Sequence, residues 1–462
     1  MDHSLNYKVH TFGCKVNTYD SSLIAQNMNQ QGFKALDSKT NPNIDPNIDP
    51  KFDTKADPRI HVLNTCAVTA EATKEAVKLA RRLKSKDPFC TVVVTGCAAQ
   101  VDTESFSNLS GIDLVIANSH KSDLPFILRR FLKGEITEKV FKSNIFQKQE
   151  LEPGGGEEQH HTRSFLKIQD GCNSFCTYCV IPFARGKSRS LSVQHLVDRV
   201  NELGDRGIPE VVLTGVHIGD YVDDSVQPAL RLEDLLENIL KKTSMSRIRL
   251  TSLEPVEVTE RLLELYSNPR LCPHFHMSIQ SANSEVLHQM KRQYSQVDVR
   301  QALLRIRKKL PQAFIGMDVI VGFPTETHEQ FEDTYLTLAG LPWTRIHVFP
   351  YSERPGTYAN RLVNIVSEKE IHLRAFRLRD LSLQRYQKEA EEQVGQLKKA
   401  VVLKSRKGVI QGLSRDYWNI EFSNAEKFQD LAAGQEIGVR ILKSQTHNSK
   451  AMEGALLAEI CS

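Results

Sequence analysis

A chain of 462 residues exceeds what one compact core holds, and at roughly 100–200 residues per domain it suggests about three units. Hydrophobic residues at 40% and charged residues at 25% exclude a disordered or fibrous protein, and a net charge of +4 is too small to establish a nucleic-acid partner by itself. The longest apolar runs, such as DVIVGF and TVVVTG, are strand-sized, and MDHSLNYKVHTF has neither the basic nor the apolar segment of a signal peptide. The reading is a cytoplasmic protein with no membrane partner. Nine cysteines, an odd number, argue against a disulfide framework and for metal or redox chemistry.

Over residues 7–131, strand-like runs alternate with helix-like ones, the pattern of an open parallel α/β sheet. YKVHTF, RIHVLNT, TVVVTG and IDLVIA are the expected strands; helices are expected over 21–29, 70–83 and 121–131, the first capped by Thr18 or Asp20. Residues 41–58 contain a tandem PNID copy and four prolines, and read as a surface insertion. LEPGGGEEQHHTR, residues 151–163, has the composition of a linker and closes a first domain over 1–145. A second domain, 158–392, carries six apolar runs with helices between them (SFLKIQD, VVLTGV, IRLTSL, FHMSIQ, GMDVIVGF and RIHVFP). That pattern suggests a parallel (β/α) barrel or part of one, with ligands at the strands' carboxyl ends. A helix over 367–392 leads to a third domain, 393–462, whose short runs KAVVLKS, GVIQGL, YWNIEF and EIGVRILKS suggest a small all-β barrel.

The chemistry concentrates in QDGCNSFCTYCVIPFARGKSRS, where Cys172, Cys176 and Cys179 fall on a loop after a strand. Three thiolates can anchor a four-iron cubane and leave one iron without a protein ligand. A structural zinc site would need a fourth ligand, the nearest preceding candidates being His160 and His161; a redox pair of Cys176 and Cys179 would leave Cys172 idle. Cys14, Cys66 and Cys97 each end a strand, and parallel neighbours would bring all three to one crevice; ordinary half-buried cysteines are the competing account. Cys90, Cys272 and Cys461 show no such relation and read as structural.

C-x-x-x-C-x-Tyr-C, with Tyr178 at the aromatic position, resembles the signature of the radical S-adenosylmethionine (SAM) superfamily. The resemblance implies a [4Fe-4S] cluster whose free iron is chelated by SAM, and cleavage of SAM to a 5′-deoxyadenosyl radical. Because the cofactor carries the hard step, no side-chain acid or base is expected to be catalytic. The strand ends at Gly215, Glu254, Gln280 and Gly322 resemble the family's SAM-contacting edges, although glycines after strands also serve turns alone. TFGCKVNTYDS, NTCAVT and VTGCAAQ are similar to the cysteine segments of the methylthiotransferase amino-terminal domain. There a second open [4Fe-4S] cluster, on Cys14, Cys66 and Cys97 here, binds the sulfur to be inserted. The implied reaction is hydrogen abstraction from an unreactive carbon and transfer of a methylthio group, a second SAM being the methyl donor and a flavodoxin or ferredoxin the kind of electron donor required.

Within that family, GCKVN and HVFPYSERPGT are most similar to the branch that modifies N6-threonylcarbamoyladenosine beside the tRNA anticodon, at carbon 2 of the adenine. Lys15-Val16 discriminates it from the ribosomal-protein branch, usually GCPKN, and the isopentenyladenosine branch, GCQMN. A non-catalytic iron–sulfur RNA-binding protein is the alternative of a different class. A tRNA anticodon stem-loop requires phosphate contacts and stacking surfaces. Arg185, Lys187, Arg189, Lys291 and Arg292 are the expected cations near the barrel mouth. Lys404, Arg406 and Lys407 with Tyr417 and Trp418 are similar to the family's RNA-binding TRAM domain, against a solvated face and a barrel core as the plain alternatives. Thr325 and Ala282 stand where the family has glycine, so a position needing positive φ would be altered there.

Overall fold

The computed structural model describes residues 5–36, 59–68, 70–156, 162–363, 365–403, 410–423, 431–445 and 456–461. The chain divides into two compact units. The first comprises Met1–Glu158, Asp170–Asn173 and Cys179–Arg189; the second comprises Gln159–Gln169, Ser174–Tyr178 and Ser190–Ser462. The PNID insertion and His160 and His161 lie outside the described residues.

In the first unit, strands β1 (Asn6–Thr11), β2 (Lys34–Ala35), β3 (Ile60–Thr65), β4 (Thr91–Gly96), β5 (Leu114–Ile116) and β6 (Val140–Phe141) form one parallel sheet ordered β2-β1-β3-β4-β5-β6. The four longer strands are those expected. The two-residue edge strands β2 and β6 are too short to show a period in the sequence. Every residue of β3 is buried, as befits a central strand covered on both faces. Val62 and Val93 pack with Ile24, Met28, Leu124 and Leu128 on one face. Leu63, Val92 and Val94 pack with Ala80, Val77 and Leu83 on the other.

Helix α1 spans Lys15–Gln30, so it begins well before the expected start, with Cys14 as its N-cap. Neither Thr18 nor Asp20 caps it. Asp20 is buried one turn inside and neutralised by Lys121, Nζ to Oδ2 2.9 Å. The expected linker is also partly structured: Asn27 donates to Glu152 (2.6 Å), the Gly155 N–H donates to Gln26 (3.2 Å), and a Cβ on Gly155, at φ +66°, would lie 2.7 Å from the Tyr19 ring.

In the second unit, the six expected parallel strands form two three-stranded groups. Ser164–Lys167, Val211–Thr214 and Ile248–Leu250 make one; His274–Gln280, Phe314–Val321 and Arg345–Pro350 make the other. A parallel bridge from Leu253 to Met277 joins the groups, giving a partial barrel in sequence order. The carboxyl-terminal strands close a five-stranded barrel. Its last member, Leu456–Ile460, was not anticipated; it pairs with both Asn419–Phe422 and Glu436–Ser444.

A buried ion cluster fastens the small barrel to the amino ends of the parallel strands. Glu210, Arg247 and Arg249 are all fully buried; Arg247 lies 2.8 Å and Arg249 3.0 Å from the Glu210 carboxylate. Burial alone would raise the Glu210 carboxyl, but Arg249, Arg247 and Arg163 hold it far below the usual carboxylate range. Both arginines reach the small barrel: Arg247 donates to Leu413 O (3.1 Å) and pairs with Glu436 (2.6 Å), and Arg249 donates to Arg415 O (3.0 Å). Tyr417 stacks on His274 at 3.9 Å between ring centroids, with the Arg249 guanidinium 4.9 Å from its ring. Trp418, 2% exposed, lies in the small barrel's core against Phe314 and Tyr386. Trp418 thus lies in a barrel core, the plain alternative to stacking on RNA bases, while the half-buried Tyr417 has one ring face against His274. Lys404, Arg406 and Lys407 lie outside the described residues.

Removing one member of such a cluster strands the others in low dielectric. Glu210→Gln should lower the unfolding free energy by about 3–5 kcal/mol in a urea titration and make the small barrel the first part cut in limited proteolysis. Glu436→Gln, whose side chain is 22% exposed, should cost about 1 kcal/mol or less.

Candidate functional site

Parallel strands deliver their carboxyl ends to one edge, and in the first unit three neighbours deliver a cysteine each. Cys14 follows β1, Cys66 follows β3 and Cys97 follows β4. Cys66 and Cys97 are buried and Cys14 is exposed. The thiols sense one another: the Cys66 thiol is pushed up to about 12, first by burial and then by Cys97 and Cys14. Three thiols at one sheet edge, one of them exposed, fit a metal group that needs three thiolates and keeps a free coordination position. Two glycines permit the approach. A Cβ on Gly13 would lie 2.5 Å from the Cys66 Sγ, and one on Gly96, at φ +96°, would lie 2.4 Å from Thr65 O.

A side-chain network fixes the backbone beside all three. Asn17, fully buried on α1, donates to Phe12 O (2.8 Å) and Thr65 O (3.0 Å), clamping the ends of β1 and β3. The Thr65 hydroxyl donates to Thr95 O (2.6 Å), adding β4. Arg185, 3% exposed, donates through Nε to Cys97 Sγ (3.1 Å), through Nη1 to Asp170 (2.9 Å) and through Nη2 to Asn17 Oδ1 (2.6 Å) and Asp20 (3.0 Å). Asn118 Nδ2 lies 3.7 Å from the same sulfur. Arg185 is thus not a surface cation for RNA, as its basic neighbourhood suggested. Arg189 is likewise occupied, donating to the carbonyls of Lys148, Lys187 and Arg185. Sequence reading missed Asn17, Asp20, Asn118 and Asp170; the one available signal was a pair of polar residues, Asn17 and Asp20, on the apolar face of α1 with Val16 and Tyr19.

The signature loop is divided between the units. Cys172 and Cys179 lie on first-unit segments, Cys176 and Tyr178 on a second-unit segment. The Cys172 N–H donates to Gly186 O (3.1 Å), and the Ile181 N–H points at Cys179 Sγ (3.5 Å) at the start of the short helix Ile181–Arg185. In the second unit, Thr177 is held on both sides, its N–H donating to Met290 O (3.2 Å) and its carbonyl accepting from Ala359 (2.8 Å).

Around that segment the barrel's strand ends gather charge. Arg292 pairs with Glu254 and donates to the Tyr178 hydroxyl (2.9 Å), and Cys176 is close enough to reinforce its charge. Burial pushes the Glu254 carboxyl up, opposed by Arg292 and His217. His217 lies 2.5 Å from Glu257, 3.4 Å from Asp220 and 3.7 Å from Glu254. Arg292 is therefore engaged by protein groups, correcting its assignment as an RNA contact, whereas Lys187 and Lys291 are exposed. Gln280 ends its strand at φ +61° and is 8% exposed. Gly215 and Gly322 have packing reasons: a Cβ would lie 2.8 Å from Gln169 Oε1 at the first and 2.4 Å from Ile371 at the second. Neither Thr325 nor Ala282 has positive φ, so the substitution of family glycines strains neither.

The Radical SAM superfamily matches residues 166–338, and the uncharacterized protein family UPF0004 matches residues 50–117. The threonylcarbamoyladenosine tRNA methylthiotransferase MtaB of Aquifex aeolicus is 35% identical over 86% of this chain and 92% of its own length; that of Bacillus subtilis is 31% identical over 94% and 93%. The tRNA-2-methylthio-N(6)-dimethylallyladenosine synthase of Desulfotalea psychrophila is 31% identical over 88% and 90%. Among solved structures, the radical S-adenosylmethionine methyltransferase TsrM from Kitasatospora setae shares the fold, with a TM-score of 0.53 at 14% identity, covering 75% of this chain and 73% of that one.

The glycine at the end of β4 offers a direct test of how tightly the thiol edge is built. Gly96→Ala combines the cost of a positive φ, about 1–3 kcal/mol, with a collision against β3 backbone. Gly134→Ala, at φ +70° with nothing within 4 Å of the new Cβ, isolates the first part. Urea unfolding should therefore show Gly96→Ala as clearly the more destabilised of the two.

Proposed function

The chain belongs to the radical SAM methylthiotransferase family, and on that premise we propose that it methylthiolates carbon 2 of N6-threonylcarbamoyladenosine beside the anticodon of tRNA, using two open iron–sulfur clusters. The observation that carries the second cluster is the convergence of Cys14, Cys66 and Cys97 at the carboxyl edge of three adjacent parallel strands, within one buried polar network. The first cluster and SAM are implied by the superfamily match and by the spacing of Cys172, Cys176 and Cys179. When bound, these groups supply one-electron hydrogen-abstraction chemistry, a methyl group and a place for the sulfur.

The chain's own residues then bind, orient and shield. Arg292, set against Tyr178 and Glu254, gives the Cys176 segment a fixed positive neighbour. Glu254, Gln280 and the backbone at Gly215 are the SAM-facing candidates, all at carboxyl ends of barrel strands, where such folds hold ligands. Asn17 and Arg185 hold the three-thiol edge rigid, so that the sulfur need not be re-aimed at each turnover. Lys187 and Lys291 are the exposed cations proposed to meet phosphate. Support for this substrate over an isopentenyladenosine or a protein comes from Lys15-Val16 beside Cys14 and from relatives whose names specify threonylcarbamoyladenosine.

Nucleoside mass spectrometry of tRNA tests the substrate. A deletion strain should accumulate threonylcarbamoyladenosine and lose its methylthio derivative, and this chain should restore it; unchanged methylthio-threonylcarbamoyladenosine, in a strain with no second enzyme to make it, would defeat the assignment. Metal analysis tests the clusters: a Cys14→Ala, Cys66→Ala, Cys97→Ala variant should fall from about eight to about four irons per chain yet still cleave SAM under anaerobic assay.

A further inference from the structure

Buried negative sulfur needs compensation, and the chain places one guanidinium where it can act on a specific ligand atom. Arg185 reaches Cys97 Sγ through Nε at 3.1 Å, while its other nitrogens are fixed by Asp170, Asn17 and Asp20. Asp20 also takes Lys121 at 2.9 Å and Asp170 lies 4.0 Å from Arg189, so Arg185, Lys121 and Arg189 face the carboxylates of Asp20 and Asp170. Arg185 thus brings to the sulfur a directed N–H as well as positive charge. The fork geometry is what makes this an arginine position: a lysine ammonium has no rigid plane with which to hold two carboxylates and aim a third donor at a sulfur. Asn118, at 3.7 Å, is the weaker second donor to the same atom.

We infer that Arg185 is a positioning and potential-setting residue for the cluster on Cys14, Cys66 and Cys97, raising its reduction potential by donating to the Cys97 sulfur. This inference rests on the two-cluster reading above. Hydrogen bonds to ligand sulfurs and local charge are among the quantities that set iron–sulfur potentials, each favouring the more negative, reduced cluster when the contribution is positive. Replacing Arg185 by methionine removes the donor and one positive charge, and both changes act in the same direction, toward a lower potential.

The test uses the full chain, anaerobically reconstituted, in a background of Cys172→Ala, Cys176→Ala and Cys179→Ala, so that one cluster gives the whole signal. Iron content and an electron paramagnetic resonance redox titration are read for the background, for added Arg185→Lys and for added Arg185→Met. The expected result is about four irons per chain in the background, and for Arg185→Met a reduced-to-oxidised ratio at fixed potential about tenfold lower, equivalent to about 59 mV for one electron. Arg185→Lys should bind iron and fall between the two. An Arg185→Met chain with the background's midpoint overturns the inference while leaving the cluster assignment intact. A background chain that binds no iron overturns both. Should Arg185→Met lose cooperative unfolding in urea, Arg185→Lys decides: a midpoint and iron content equal to the background's overturn the inference, and a lowered midpoint with iron retained supports it.

Discussion

The parallel pairing of β1, β3 and β4 is the constraint on which the first unit depends. Cys14, Cys66 and Cys97 are scattered along the chain, and no local motif joins them. Strand register does: Tyr7 pairs with Ile60 and Ile60 with Thr91, so the three strands finish nearly level and each turns out of the sheet at a cysteine. A slip of one residue in a sheet buried on both faces would exchange Val62 and Leu63 between two different helical layers, so hydrophobic packing enforces the register that the thiols require. Apolar burial, which has no chemical function of its own, thereby sets the metal-ligand geometry.

Packing alone does not place sulfur atoms to within the tolerance a metal demands. The polar network supplies the remaining precision. Asn17 spans β1 and β3, Thr65 spans β3 and β4, and Arg185 joins Cys97 to the helix that starts at Cys14. Each member is buried and hydrogen-bonded, which matters because a half-satisfied polar network in low dielectric costs more than it returns. The same solution recurs in the second unit. Glu210 accepts two arginines at the amino ends of the barrel strands, and Glu254 accepts Arg292 at a carboxyl end. The first cluster ties two folded parts of the unit together, and the second shapes the surroundings of Cys176 and Tyr178.

Much of the fold was legible because long strands and helices carry periodicity. All four longer strands of the first sheet, all six of the partial barrel and the long helix Glu368–Glu391 could be read from apolar spacing. The two-residue edge strands and Leu456–Ile460 could not, the first two because they have no period and the last because its partners are distant in sequence. The cysteines were legible as a set since residue type and strand-end position coincide. The start of α1 was misread because Thr18 and Asp20 look like capping residues, and only the fold reveals that Asp20 is partnered by Arg185 and Lys121 inside the helix.

The basic residues show most clearly what a sequence withholds. A guanidinium is equally suited to phosphate at a surface and to carboxylate, carbonyl or sulfur in an interior. Arg185, Arg189 and Arg292 fall in the basic cluster and strand-end loops where a tRNA-binding protein would be expected to carry exposed cations, yet each is committed to protein atoms. Lys187 and Lys291, lying beside them in sequence, are exposed. Exposure is decided by whether a matching anion or carbonyl arrives from elsewhere in the fold: Asp20 and Asp170 for Arg185, Lys148 O for Arg189, Glu254 for Arg292. Burying an arginine without such partners would cost several kcal/mol, so the acidic residues on α1 and after the barrel strands decide which cations remain for a ligand. A reading that pairs each basic motif with the carboxylates available to neutralise it is therefore more discriminating than one that counts positive charge.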